Sequence, residues 1–143
     1  MEMKQIAPVI LPLEIAKQLT EAAIQKVAEV GIPYAITIVD GSGNIVLTTR
    51  MDGAAVAATE SSIGKARAAA VFGMSTKELG QAAVNGGPLA TMQTGLSFPV
   101  TFVSGGVPLK NEHGVIIAAI GAGGALPEQD HMVSEYAASI VQL

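Results

Sequence analysis

The pattern of apolar and polar positions predicts an amphipathic helix over residues 13–30. Small and branched apolar side chains recur there at steps of three and four residues, whereas Glu14, Lys17 and Glu21 belong to another face. Gly31 follows directly, and glycine is the residue that most readily ends a helix. We therefore expect a helix that buries one side and leaves the other side in solvent.

Runs of β-branched residues separated by short glycine-containing segments predict strands joined as hairpins. Residues 40–44, Asp-Gly-Ser-Gly-Asn, and residues 111–114, Asn-Glu-His-Gly, each stand between two such runs. Their glycines can take the positive φ that a tight reversal of the chain needs. The sequence predicts five strands, at residues 34–39, 45–49, 99–103, 107–110 and 115–120.

Helical spacing returns in three later segments. The alanine-rich residues 54–72 form one predicted helix, Ser75 and Glu78 match a capping box that opens a short second one, and Pro127 suits the first turn of the last. Sequential hairpins with helices gathered around them predict an α+β sandwich, in which helices cover one side of an antiparallel sheet.

Length and charge limit the classes of function. A chain of 143 residues suits a single domain over residues 1–143, and the absence of cysteine excludes disulfides and fits a reducing compartment. A net charge of -4 without a cluster of basic residues argues against a nucleic-acid partner. The first residues resemble neither a signal peptide nor a membrane span, so we expect a cytoplasmic protein without membrane contact.

One long segment is almost free of charge. Between Glu78 and Glu128 the only charged residues are Lys110 and Glu112, too few to solvate an ordinary exposed surface. We expect part of this segment to be buried against a second copy of the chain, in a homo-oligomer that is a dimer or larger.

Three segments taken together resemble one known family. They are VDGSGNIVLTTRMDGA, GKARAAAVFGM and GGVPLKNEHGVIIAAIGAGGALPEQD, in this order and spacing. The chain resembles the GlcG/HbpS-like family, whose small domains also occur as the C-terminal part of PduO-type proteins. The resemblance implies a profilin-like sandwich with a five-stranded antiparallel sheet, assembled as a homo-oligomer. It also implies haem binding or haem degradation in several relatives, and for others a place beside glycolate, glycerol or diol utilisation.

Residues that match the family's motifs define a candidate site for a small molecule. The strand-end motif from Arg50 to Gly53, Lys65 in the alanine-rich helix and the acidic pair in PEQD bring polar groups toward glycine-rich backbone. The ligand-binding candidates are Arg50, Met51, Asp52, Gly53, Lys65, Gly105, Gly106, Gly123, Gly124, Glu128, Asp130 and His131.

Each polar candidate also has a purely structural interpretation. Arg50 and Asp52 can form an ion pair beside a turn, and the Lys65 side chain can extend to solvent along an apolar surface. Glu128 and Asp130 stand in the first turn of the last helix, where acids interact favourably with the helix dipole by about 0.3–1 kcal/mol. The residue types alone leave both interpretations open.

Haem is the cofactor that the resemblance implies, and a corrinoid is the alternative. Imidazole is the usual haem ligand, but the first helix contains no histidine. His131 has carboxylates three residues before it, at Glu128, and four residues after it, at Glu135, so both are within reach on a helix. The candidate axial donors are His131, His113, Met51 and Tyr136, besides weaker oxygen donors.

Three functions are consistent with these features, and the sequence leaves open whether the protein is an enzyme. The first is a homo-oligomeric protein that binds haem, a corrinoid or another small molecule. The second is an enzyme for a small oxygenated metabolite, with Glu128 or Asp130 as base and Arg50 or Lys65 holding a carboxylate. The third is an accessory subunit of a metabolic complex. Neither a serine nucleophile elbow nor histidine spacing typical of a zinc hydrolase is present.

Overall fold

Four helices and four strands make up the ordered framework of a computed structural model that describes residues 11–84 and 86–143. A single 3₁₀ turn at Met92–Gly95 interrupts the long connection before the third strand. In chain order the elements are α1 (Leu13–Val30), β1 (Ala35–Asp40), β2 (Ile45–Arg50), α2 (Val56–Phe72), α3 (Thr76–Ala82), β3 (Gly106–Lys110), β4 (Ile116–Gly123) and α4 (Pro127–Ile140).

The local signals for helix ends are confirmed. Gly31 ends α1 in the left-handed region, with φ 77°, and its N–H donates to the Val27 carbonyl. At the start of α3, the Ser75 hydroxyl accepts the Glu78 backbone N–H at 3.3 Å. None of the helices within the described residues is long and apolar enough to cross a membrane.

The strands form one antiparallel sheet in the order β2-β1-β4-β3. Both predicted hairpins are confirmed, because β1 pairs with β2 and β3 pairs with β4. The pairing of β1 with β4 joins the two hairpins, with Ala35 opposite Gly123 at one end. These two central strands therefore hold the sheet together.

Helices cover both faces of the sheet, so the prediction of a sheet covered on one side is wrong. Tyr34, Ile36 and Ile38 share a core with α1 and α4 on one face. On the other face, Val39 packs with alanines of α2, and the Thr37 hydroxyl bonds the Ser62 hydroxyl at 2.8 Å. Every residue from 35 to 39 is buried, as expected for a strand enclosed on both sides.

The predicted fifth strand at residues 99–103 is also wrong. The backbone N–H of Thr101 donates to the Gly64 carbonyl of α2 at 3.2 Å, and Val100 and Phe102 pack against Ala68. This segment thus lies on α2 and does not extend the sheet. The free edge of β3 carries Pro108, whose nitrogen has no hydrogen to offer a neighbouring strand.

Small residues let α2 lie directly against β4. A Cβ added at Gly121 would overlap the Ser62 carbonyl oxygen and would stand 2.6 Å from the Ala66 nitrogen. A Cβ at Gly123 would come within 2.9 Å of the Ala58 carbonyl oxygen. Because α2 lies so close to the sheet, the side chain of Lys65 reaches past the sheet edge to α4, in the opposite helical layer.

Candidate functional site

Lys65 crosses from one helical layer to the other at the end of the sheet. It is only 3% exposed, and its Nζ atom lies 2.8 Å from Oδ2 of Asp130, at the start of α4. The second oxygen of Asp130, Oδ1, accepts the backbone N–H of Ala125 at 3.0 Å. The lysine therefore does not extend to solvent, and it neutralises a carboxylate of the protein itself.

The ammonium group of Lys65 also completes the hydrogen bonding of β4. The Ala122 N–H donates to the Gly105 carbonyl, just before β3 begins, at 2.9 Å. The Ala122 carbonyl accepts from Lys65 Nζ at 3.1 Å and so has a partner although it lies beyond the end of β3. Lys65 thus takes the position that a strand N–H would otherwise occupy.

Two glycines, Gly105 and Gly106, pack directly against this ion pair. A Cβ at Gly105 would stand 2.9 Å from Cδ of Lys65 and 3.0 Å from Cβ of Asp130, and one at Gly106 would stand 2.8 Å from the Lys65 carbonyl carbon. The Gly105 carbonyl also accepts the Ser134 hydroxyl at 2.7 Å. The glycine pair is therefore part of a filled interior and leaves no room for a ligand beside Lys65.

Tyr34 adds a third polar group to this interior. Its ring packs against Gly124, where a Cβ would be 2.7 Å from Cδ1 of the ring, and its hydroxyl is buried without a hydrogen-bond partner among the described residues. Burial, and to a lesser extent the nearby Asp130 carboxylate, raises the pKa of the Tyr34 phenol well above its ordinary value. The fold therefore strongly favours the neutral phenol.

The raised pKa of Tyr34 predicts that the free energy of unfolding falls at alkaline pH. The unfolded chain releases the phenol proton near pH 10, whereas the folded protein keeps it, so the stabilising effect is complete below about pH 10 and falls above it by about 1.4 kcal/mol per pH unit. We expect Tyr34→Phe to lack this loss. Urea unfolding at pH 8 and pH 11 measures it, and an equal difference between wild type and variant at both pH values would contradict the prediction.

An apolar groove lies between the end of α1 and Met51, the residue that follows β2. Its volume is about 390 Å³. Met51 contributes the one sulfur atom of its wall, and Sδ accepts the Tyr34 backbone N–H at 3.5 Å. The residues that line it are Ile24, Val27, Ala28, Gly31, Ile32, Pro33 and Met51.

The polar neighbours of Met51 lie at the molecular surface. Arg50 and Asp52 are both exposed, and the described residues show no ion pair between them. Gly53 has φ 82°, a conformation that favours glycine, and its Cα faces the Pro33 ring. Arg50 is opposite Ala35 in the sheet and so lies at the same end as the glycine-rich loop after β4.

His131 lines a separate, polar cavity of about 340 Å³ between α3, β3 and α4. Its Nε2 lies 2.9 Å from Glu135 Oε2, while Nδ1 is buried without a partner among the described residues. Glu128, the other carboxylate within helical reach, is exposed and forms no such pair. The second histidine, His113, is 76% exposed in its hairpin turn beside Glu112.

The structure separates the predicted ligand-binding residues into four places. Lys65, Asp130 and the four glycines Gly105, Gly106, Gly123 and Gly124 belong to a packed interior, Met51 lines the apolar groove, and His131 lines the polar cavity. The remaining four lie exposed at the surface: Arg50, Asp52, Gly53 and Glu128. Sequence reasoning missed the α1 wall of the groove, because those side chains also fit an ordinary amphipathic helix. Within the described ranges no three metal-ligating acids or histidines cluster as a metal site.

The four-stranded antiparallel sheet between two helical layers, with an apolar groove beside it, defines the protein as a small α+β domain. The family model described as haem-degrading protein HbpS-like matches residues 11–139. The chain therefore belongs to the HbpS-like family, and the resemblance of the three sequence segments is confirmed.

Individual relatives agree with this assignment. A 15.0 kDa protein of Citrobacter freundii, from the dhaT-dhaS intergenic region, is 32% identical over 134 residues, which are 94% of this chain and 92% of that protein. The corrinoid adenosyltransferase PduO of Salmonella typhimurium is 29% identical over 140 residues, 98% of this chain but only 41% of PduO. The crystal structure of a PduOC–haem complex superposes with a TM-score of 0.84 at 29% identity, over 92% of this chain and 94% of the other.

Proposed function

We propose that the protein binds haem, or a related planar tetrapyrrole such as a corrinoid, in the apolar groove beside Met51. The observation that carries the proposal is the composition of the groove, in which apolar side chains of α1 and the following turn surround one sulfur atom. The similarity to the protein of the PduOC–haem complex supports the same ligand class. A place beside glycolate, glycerol or diol metabolism is part of this proposal.

The groove residues fit the chemistry of a haem. The macrocycle is apolar and gains from burial against branched side chains such as Ile24 and Val27. The Met51 thioether would hold the haem iron, since a methionine sulfur is a known haem ligand and has a second lone pair besides the one facing the Tyr34 N–H. Arg50, exposed next to it, is free of ion pairs among the described residues and is suited to a propionate.

The groove is open on its outer side, which favours a homo-oligomer as the binding form. Ala28 and Ile32 at its rim are exposed, the latter at 45%. A second copy of the chain placed there would shield the outer face of the macrocycle and bury these apolar atoms as well. Bound haem would supply a redox-active iron, while the chain supplies the apolar wall, the sulfur donor and the neighbouring cation.

A haemin titration followed by absorbance tests the proposal. We expect a saturable Soret shift in the wild type and at least a tenfold loss of affinity in Ala28→Phe, because a phenyl ring at this exposed rim position fills the groove without disturbing the core. Gln18→Phe is the matched control, since it adds the same ring to an exposed position of α1 outside the groove.

Two further variants separate the possible iron ligands. Met51→Leu keeps the apolar volume and removes the sulfur, so we expect an altered Soret position with haemin still bound. His131→Asn should leave the spectrum unchanged, because His131 lines a different cavity. A spectrum that changes in His131→Asn and not in Met51→Leu would reject the groove, and a titration that never saturates would reject haem.

A further inference from the structure

Arg67 is held in a fixed position on the outer side of α2. Its guanidinium lies over the Phe98 ring, 4.8 Å from the ring centre, and its Nε donates to the Gly43 carbonyl at 3.2 Å. Gly43 has φ 85°, and an added Cβ would stand 3.2 Å from Val71 Cγ1, so the β1–β2 turn fits closely against this helix. An arginine fixed at two points loses little conformational entropy when it binds a ligand.

Arg67 forms no ion pair with an acid within residues 11–84 and 86–143. The ion pairs of the described residues involve other cations, and the terminal nitrogens of Arg67 donate to no described protein atom. The side chain is nevertheless partly buried. A partly buried guanidinium that keeps its two terminal nitrogens for an outside partner has the geometry of an oxyanion receptor.

A small cavity lies beside this arginine. It has a volume of about 220 Å³ and lies in the α2 layer, across the sheet from the apolar groove beside Met51. Ser61 and Thr101 are among the residues that line it, and each carries a hydroxyl group that is able to donate a hydrogen bond. The remaining lining residues are Glu60, Ile63, Gly64 and Pro99.

We propose that this cavity is a second binding site, specific for a carboxylate of a small organic acid. The planar guanidinium matches two carboxylate oxygens, and the lining residues Ser61 and Thr101 each carry a hydroxyl that would serve as a further donor. Glu60 at the rim offsets the charge of Arg67, so the site favours a single negative charge over the double charge of a phosphate. The small volume and apolar side chains of the wall favour an acid with few atoms.

The test uses sodium acetate as the probe and the arginine side-chain resonances as the readout. The chain has two arginines, Arg50 and Arg67, so their Nε–Hε signals in ¹⁵N spectra are readily assigned. At constant ionic strength kept with sodium chloride, we expect the Arg67 signal to shift saturably with acetate while the Arg50 signal does not saturate. A linear shift of Arg67, or the same shift with chloride alone, overturns the proposal.

Removal of the positive charge of Arg67 and removal of the negative charge of Glu60 should change acetate affinity in opposite directions. Arg67→Gln should weaken acetate binding about tenfold or more, through loss of a charged hydrogen-bond donor, whereas Lys17→Gln makes the same charge change on exposed α1 and should have no effect. Glu60→Gln, also at an exposed position, should tighten binding about two- to threefold, which keeps the proposal testable if Arg67→Gln fails to fold. Unchanged affinity in Glu60→Gln, or tighter binding of inorganic phosphate than of acetate, contradicts the assignment.

Discussion

Lys65→Met is expected to lower the free energy of unfolding by about 3–5 kcal/mol, a large part of the stability of a small domain. Methionine fits the space of the lysine stem but leaves the Asp130 carboxylate, 3% exposed, without its counter-ion. It also leaves the Ala122 carbonyl without a donor. The cost arises from an uncompensated buried charge together with an unsatisfied carbonyl.

The double variant Lys65→Met/Asp130→Asn separates the cost of the stranded charge from the value of the ion pair. Asparagine keeps an oxygen for the Ala125 N–H while it removes the charge, so we expect the double variant to recover more than half of the loss. Urea unfolding of the wild type, both single variants and the double variant gives the interaction energy directly. Additive effects of the two substitutions would contradict a buried, mutually dependent pair.

Gly121→Val is expected to be similarly destabilising, with a loss of about 3 kcal/mol or more. The new side chain would collide with backbone atoms of α2, the Ser62 carbonyl oxygen and the Ala66 nitrogen, and backbone cannot move aside as a flexible side chain can. Since Lys65 belongs to the same helix, displacement of α2 would also lengthen its contact with Asp130.

A matched glycine distinguishes this packing effect from a general glycine effect. At Gly95, which is exposed, the nearest atom to an added Cβ is Met92 Sδ at 3.9 Å, so we expect Gly95→Val to change stability by no more than about 0.5 kcal/mol. Thermal unfolding of the two variants measures the contrast. A Gly121→Val protein with wild-type stability would show that α2 does not rest on β4 as described.

The helix ends and hairpin turns were predictable from the sequence. The presence of helices on both faces of the sheet was not predicted. The period of α1, the stop at Gly31 and both hairpin turns are encoded over short distances, and the structure confirms them. The burial of both sheet faces was also visible, since β4 is a continuous run of apolar residues and glycine, and Thr37 is the only polar residue between Ala35 and Val39 of β1, where a half-exposed strand would alternate. The order of the elements along the chain is therefore a weaker indicator of which sheet faces are covered than the composition of the central strands.

The predicted fifth strand, at residues 99–103, shows that the strand preference of individual residues does not determine the conformation of a segment. Residues 99–103, Pro-Val-Thr-Phe-Val, are mostly apolar and include three β-branched side chains, as in a strand, but the same residues can cover a helix. Ala68 and Leu79 offer an apolar surface to Val100 and Phe102, and Pro108 removes one hydrogen-bond donor from the neighbouring sheet edge. Tertiary contacts therefore decide the conformation of this segment, and a local pattern does not contain them.

The sequence indicated which polar residues were candidates for the site, but it did not indicate which residues they contact. Arg50 and the loop that leads to Asp130 do lie at one end of the sheet, yet the buried carboxylate faces Lys65 and the arginine faces solvent. Which lysine meets which acid depends on a contact between residues 65 positions apart. The packing of Gly121 that allows it is likewise a property of the assembled sheet.

Iron location in crystals grown with haemin tests the central claim most directly, by anomalous diffraction at the iron absorption edge. The groove beside Met51 predicts one iron peak per chain within coordination distance of Sδ, with the macrocycle between α1 and a second copy of the chain. A peak beside His131, or a haem held away from α1, would contradict it.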